Sequence, residues 1–234
     1  MAVSKCVIMA AGKGTRMLPL TETIPKVLIE INGKPFLHYV IENLKKAGFN
    51  EFGIIAGYLK EKIEQFTKDN NINATIIEQK DQLGTGHAVM QAKDFCKDEN
   101  FIVLSGDSLV STEDLKAINN QDEFCYAVGK EMQGDVSKYG IFVIDEDKLV
   151  KIEEKPKTPP SNIINIGLYK FTKDIWPALD KIELSERGEY ELTDAITILA
   201  KQGKVKALKL KDYWLDLGSK EDIPKVEEFL KNLE

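Results

Sequence analysis

The chain of 234 residues is 43% hydrophobic and carries 32 basic against 38 acidic side chains, for a net charge of −6. That length and apolar content can bury a sizeable core in one large domain or two small ones, and the acidic balance argues against a nucleic-acid partner, whose phosphates favour a basic face. No apolar run approaches the roughly eighteen residues of a membrane span and no signal-peptide pattern opens the chain, so a cytoplasmic protein without a membrane partner is expected.

Cys6 to Ala11 (CVIMAA) is a near-continuous apolar run. It reads as a parallel strand over 5–11, buried on both faces. The loop that leaves it, GKGTRMLPLTETIPKVL, is expected to take positive φ at Gly12 and Gly14, with successive N–H groups forming a concavity that suits phosphate. It is not a Walker A loop, because Gly14 follows the Gly12-Lys13 pair and no glycine stands five residues upstream. Nor is it the dinucleotide fingerprint, since Met17 occupies the third glycine's place and Pro19 and Pro25 disfavour a long helix. Among all the basic residues only Arg16 and Arg187 are arginines, whose planar fork suits bidentate phosphate contacts.

Strand-like runs at 52–56, 74–78 and 101–105 alternate with helix-like segments at about 35–47, 59–69 and 85–95. This βαβ order predicts a three-layer α/β/α arrangement with ligands beyond the carboxyl ends of the strands. The second half reads as strands at 124–129, 139–145, 148–155 and 165–171, a mixed or antiparallel extension, with KPKTPPSN (155–162) as a surface excursion. Helices are expected at 173–181 and 193–202, strands at 205–210 and 213–217, and a charged C-terminal helix from about 220. Cys6, Cys96 and Cys125 have no metal-ligand spacing and are expected to be reduced and buried.

Asp107 follows Gly106 at the end of an apolar strand, where a carboxylate can either cap a turn or ligate Mg²⁺ beside phosphates. Asp216 lies in YWLDLGS, an apolar setting in which an unpaired carboxylate is costly; two carboxylates meeting at one metal would explain both. QLGTGHA (82–88) places Gly84 and Thr85 at the start of a helix, where they also suit a plain glycine turn with an N-cap. His38 and His87 have no partner carboxylate pattern and read as structural.

The G-x-G-T-R string with Pro25-Lys26-Val27-Leu28, the Gly106-Asp107 pair and W-x-D-x-G-S at 214–219 together resemble the signature of the sugar-1-phosphate nucleotidylyltransferases. These enzymes join a nucleoside triphosphate to a sugar 1-phosphate and release pyrophosphate, and further family-like segments extend the resemblance over nearly the whole chain. The resemblance implies a Rossmann-like fold with a mainly parallel sheet. It also implies a single nucleotidyltransferase domain, 1–234, with a nucleotide-binding half at about 1–120 and a sugar-phosphate half at about 121–234. Ala10, Ala11, Gly12, Lys13, Gly14, Thr15, Arg16 and Lys26 would meet the triphosphate, Gln79, Gly84 and Thr85 the base, and Gly106 the nucleotide. Arg16, Lys26, Asp107 and Asp216 would be catalytic, the last two holding Mg²⁺. Gly140, Glu154, Lys155, Asn165 and Arg187 match the sugar-phosphate side.

The substrates are not settled by the resemblance. QLGTGHA is similar to the base-reading loop of N-acetylglucosamine-1-phosphate uridylyltransferases, while ERGEYELTDAI and EEKPKTPPSN look like glucose-1-phosphate enzymes, thymidylyl ones included. UTP is favoured on the base loop, with N-acetylglucosamine 1-phosphate or glucose 1-phosphate as acceptor and dTTP as the alternative. A non-catalytic sensor of nucleotide sugars would be expected to lose phosphate or metal residues that are present here. The sugar-phosphate oxygen is already anionic, so no general base is required. Hexapeptide repeats are not evident and acetyl transfer is not expected; homo-oligomer formation is left open.

Overall fold

In a computed structural model, residues 3–233 of the protein are described. The apolar runs of the first half form β1 (Lys5–Met9), β2 (Glu51–Ala56), β3 (Ala74–Glu78) and β4 (Phe101–Ser105), parallel and in the spatial order β3-β2-β1-β4. Between and after them lie α1 (Phe36–Lys46), α2 (Lys60–Asp69), α3 (Thr85–Met90), α4 (Lys93–Cys96) and α5 (Thr112–Asn119). The second half adds β5 (Cys125–Glu131), β6 (Gly140–Asp145), β7 (Lys148–Glu154), β8 (Ile163–Phe171), α6 (Ile175–Leu179), α7 (Leu192–Lys201), β9 (Val205–Lys209) and α8 (Ile223–Lys231).

Among the described residues these nine strands make one continuous sheet, ordered β3-β2-β1-β4-β8-β5-β9-β7-β6. The expected mixed extension continues the same sheet. β8 joins it on by pairing antiparallel with both β4 and β5, and β9 returns parallel to β5. Side chains alternate across β1 with the strand period of two: Cys6 and Ile8 face one core, Val7 the other. The first core takes Phe36, Val40 and Leu44 of α1, Leu115 and Ile118 of α5, and Val226 and Leu230 of α8. The second takes Val89 of α3, Ile175 and Leu179 of α6, and Ala195, Ile196 and Leu199 of α7. A mixed sheet between two helical layers is the expected α/β class.

Several boundaries differ from the sequence reading. β1 ends at Met9, so Ala10 and Ala11 belong to the loop, although Ala10 N–H still bonds the Ile55 carbonyl at 2.8 Å. As expected from Pro19 and Pro25, no long helix follows, and the stretch forms three 3₁₀ turns, Thr15–Met17, Leu20–Glu22 and Lys26–Leu28. The helix expected at 85–95 splits into α3 and α4, and the one at 173–181 contracts to α6, where Pro177 sits in the first turn and its missing N–H is harmless. Residues 214–216 pair not with the main sheet but with Ser108–Val110, as a short antiparallel ribbon. All three cysteines are free and buried. Among the described residues no helix is long and apolar enough to cross a membrane.

Candidate active site

A cleft of about 400 Å³ opens beyond the carboxyl ends of β1 and β4. One wall is the loop after β1, whose pivot is Gly14 at φ 64°: a Cβ there would lie 2.9 Å from the Thr21 Cγ2 and 3.1 Å from the Lys26 Cβ. The Gly14 carbonyl accepts from the Met17 N–H and from the Thr21 hydroxyl at 2.8 Å, closing the turn. Gly12 does not adopt the left-handed conformation expected of it, because the chain runs on past Ala11 and turns at Gly14 alone. Gly12, Gly14, Thr15 and Arg16 line the cleft with Ala10 and Ala11, whereas Lys13 is exposed outside its lining.

The opposite wall comes from the end of β4. Met9 and Ser105 stand in register, the Gly106 N–H bonds the Met9 carbonyl at 2.9 Å, and Asp107 follows at the cleft. Its Oδ2 accepts from the Lys26 ammonium at 2.5 Å, and Lys26 is largely enclosed, with a side-chain exposure of 12%. Pairing of Trp214–Asp216 with Ser108–Val110 sets Asp216 opposite Ser108, beside Asp107, and the Leu217 N–H bonds the Asp107 carbonyl at 2.8 Å. Burial pushes the Asp216 carboxyl up to about 6, and the negative charge of Asp107 adds to it, while Lys26 and Arg16 pull the other way.

Asp107 and Asp216 thus form a crowded carboxylate pair that shares the one close ammonium of Lys26, and a hard divalent cation with oxygen ligands would relieve the remaining repulsion. Among the described residues no group of three or more His, Cys, Asp or Glu side chains forms a metal cage. A pair of carboxylates fits Mg²⁺, which typically takes one or two carboxylates and fills its remaining positions with substrate phosphates and water.

The third wall is the loop before α3. Gln79, 3% exposed, points its Nε2 at the Gly84 carbonyl (3.2 Å) and at His87 Nδ1 (3.0 Å). Gln82 Nε2 bonds the Ala11 carbonyl at 2.8 Å and so ties this loop to the first. Gly84 has φ 103° and would drive a Cβ to 2.6 Å from the Tyr190 carbonyl. Around it the backbone is stitched to the approach of α7: Tyr190 N–H to Leu83 O and Gly86 N–H to Tyr190 O, both 2.7 Å, with the Leu192 N–H on the Thr85 hydroxyl.

A second group of side chains gathers where β6, β7, β8 and the approach to α7 meet. A Cβ at Gly140 would stand 3.1 Å from Glu154 Oε1 and 3.4 Å from the Asn165 Cβ. Asn165 exchanges hydrogen bonds with the Tyr169 hydroxyl at 2.7 and 3.0 Å. Glu154 is open to solvent but walled by protein, which pushes its carboxyl up; Glu191 adds to this and Arg187 and Lys155 oppose it. Arg187 is not free: its guanidinium donates to the buried Glu191 carboxylate at 2.6 and 3.2 Å and lies 3.9 Å from Glu189. Lys155 is exposed, at φ 45°, immediately after β7.

The family described as nucleotidyl transferase matches residues 5–232. This chain belongs to the nucleotidyl transferase family. It is 42% identical over 225 residues to the bifunctional protein GlmU of Methanocaldococcus jannaschii, covering 96% of this chain and 53% of that one. It is also 34% identical over 235 residues to the UTP–glucose-1-phosphate uridylyltransferase AglF of Haloferax volcanii, covering 97% and 96% respectively. The chain therefore spans about half the length of the first curated relatives it matches. Its fold superposes on UDP-glucose pyrophosphorylase complexed with UDP-glucose with a TM-score of 0.88 at 27% identity, covering 99% of this chain and all of that one.

In this nucleotidyl transferase, the loop residues, Lys26, Gln79, Gly84, Thr85 and Asp107 converge on one cleft, with Gly106 and Asp216 directly behind it. Gly140, Glu154 and Asn165 meet, with Arg187 and Lys155 close enough to act on Glu154, but none of these five lines the cleft itself. Sequence reasoning missed Gln82, Ser105, Glu189 and Gly218, which also line the cleft. Gln82 and Gly218 were within quoted motifs and could have been found by asking which motif positions leave the strand end. Glu189 could not, because its position depends on the pairing of Tyr190 with Leu83.

Proposed function

We propose that the chain transfers a uridylyl group from UTP to a sugar 1-phosphate, N-acetylglucosamine 1-phosphate or glucose 1-phosphate, with release of pyrophosphate. The Asp107–Lys26 pair with Asp216 beside it, facing a glycine-turned loop that bears Arg16, carries the reading. The acceptor oxygen is an anion at neutral pH, so the chemistry needs charge relief and alignment in place of a base. The Gly12–Thr15 backbone and Arg16 hold the β- and γ-phosphates, and Lys26 lies toward the α-phosphate. Gln79, Gly84 and Thr85 receive the base, while Lys155 and Arg187 seat the sugar phosphate, with Gly140, Glu154 and Asn165 on the sugar. Asp107 and Asp216 would hold Mg²⁺, which supplies charge neutralisation between the phosphates. The relative named a UTP–glucose-1-phosphate uridylyltransferase supports the uridine nucleotide, and those named GlmU leave the amino sugar in play.

The nucleotide half and the sugar-phosphate half are read as parts of one domain, joined by the continuous sheet. The test is pyrophosphate release from UTP, dTTP, CTP, ATP and GTP against both sugar phosphates with Mg²⁺. UTP with either sugar should lead; a chain that binds nucleotide sugars yet releases no pyrophosphate with any pair would be a sensor and not an enzyme.

A further inference from the structure

His87 has no carboxylate partner, yet it sits directly behind the buried amide of Gln79. We propose that His87 is a positioning residue that locks the Gln79 amide with its Oε1 turned into the cleft, so that the site selects a pyrimidine bearing a ring N3–H over cytosine. The inference rests on the uridylyl reading above.

A glutamine amide has a donor end and an acceptor end that exchange by a half-turn, and the surrounding hydrogen bonds decide which faces where. At Gln79 the Gly84 carbonyl, 3.2 Å away, can only accept, so the NH₂ end must face it. The same nitrogen lies 3.0 Å from His87 Nδ1, which must then offer its lone pair and leave the ring proton on Nε2. Gln91, at 3.2 Å from His87 Nε2, is exposed on the helix surface and turns to suit that tautomer. The Gly84 contact is long, and His87 supplies the second bond that makes the half-turn costly.

With both donors engaged on the protein side, Oε1 is what Gln79 presents to the cleft it lines. Uracil and thymine carry N3–H between two carbonyl oxygens, which an acceptor welcomes. Cytosine presents a bare N3 lone pair, which an acceptor repels, and sites that rely on such a bond discriminate strongly.

The experiment compares kcat/KM for UTP, dTTP and CTP with one sugar phosphate in wild type, His87→Leu and His87→Asn. The Asn carboxamide oxygen reaches about the place of Nδ1, whereas Leu offers no acceptor. His87→Leu should lower the UTP-to-CTP preference roughly tenfold or more, the worth of one hydrogen bond to a buried group, while the UTP-to-dTTP ratio holds. His87→Asn should restore the preference. Equal losses on all three nucleotides, an unchanged UTP-to-CTP ratio in His87→Leu, or an Asn variant that behaves like Leu would each overturn the role of His87. If His87→Leu does not fold, His87→Gln, whose polar end reaches the Nε2 position instead, takes its place with the same expectation. A wild type that favours neither UTP nor dTTP overturns the uridylyl reading itself and is seen before any variant is made.

Discussion

At the carboxyl ends of β1 and β4, carboxylates are crowded and short of cations, whereas on the approach to α7 the arginine already has its carboxylate. Asp216 is pushed up by burial and by Asp107, with the single ammonium of Lys26 shared across the pair. Arg187, by contrast, is pushed up by its bond to Glu191, a sign that its cation is well satisfied before any ligand arrives. On the proposed reading, the first region would take up positive charge along with a polyphosphate. On the same reading, an anion that meets Arg187 in the second would compete with Glu191 for its guanidinium.

Breaking the first region should have the largest effect. Asp107→Asn leaves the enclosed Lys26 without its partner and removes one of two carboxylates, and Asp216→Asn removes the other. Each should lower turnover by about a hundredfold or more, the usual cost of deleting a preorganised electrostatic group. Pyrophosphate release reads the loss and circular dichroism checks the fold. Turnover within threefold of wild type would show that the pair does not serve the reaction.

The two regions are also mechanically joined, through Leu83–Gly86 and Tyr190–Leu192. Gly84→Ala attacks that joint: its Cβ meets the Tyr190 carbonyl at 2.6 Å, and the backbone there is left-handed at φ 103°. Strain and overpacking should cost about 2–3 kcal/mol of stability. Calorimetric titration should show that binding of both the triphosphate and the sugar phosphate weakens. Loss of triphosphate binding alone would mean that the two regions are independent.

How much of this was legible beforehand depends on whether a feature is local. The β1 and β4 runs, the loop and the Gly106-Asp107 pair could be read because strand, turn and functional residue are contiguous in the chain. Asp216 could be flagged as costly, but its place beside Asp107 follows from the pairing of Trp214–Asp216 with Ser108–Val110, a contact more than a hundred residues apart in sequence. Arg187 stands out in the sequence by its rarity, yet its engagement by Glu191 follows from how the turn at 185–190 folds back. Likewise the second half reads as strands, but its insertion into one sheet rests on β8 pairing with β4 and β5, which no local pattern encodes.

Smaller changes sharpen the competition at Arg187. Arg187→Ala and Lys155→Ala should each raise KM for the sugar phosphate about tenfold, the worth of a charge-assisted contact, and leave triphosphate affinity nearly intact. Glu191→Gln, which frees the guanidinium, should lower that KM about threefold, since a neutral amide competes less for the cation. Kinetics at varied sugar phosphate, with calorimetry against a non-hydrolysable triphosphate, separates these effects. A higher KM in Glu191→Gln would mean that Glu191 holds Arg187 in its working position instead of competing for it.

The smallest effect is one of pH, and its sign follows from Asp216. The carboxyl is raised from its ordinary 3.8 to about 6 in the folded protein, so the folded state binds the proton more tightly than the unfolded one. The stability linked to that proton is complete below about pH 4 and is lost as pH rises through about 6. Mg²⁺ held by Asp107 and Asp216 would act in the opposite sense, because it needs the ionised pair. Its stabilising effect should therefore be larger at about pH 7.5 than at about pH 5, by about 1 kcal/mol once solvent screening of a partly exposed pair is allowed for. Thermal melts with and without Mg²⁺ at the two pH values measure this difference, and Asp216→Asn, which cannot titrate, should flatten it. A wild-type Mg²⁺ effect that is the same at both pH values would separate the cation from this carboxylate pair and leave the crowding of Asp107 and Asp216 to be relieved by Lys26 and Arg16 alone.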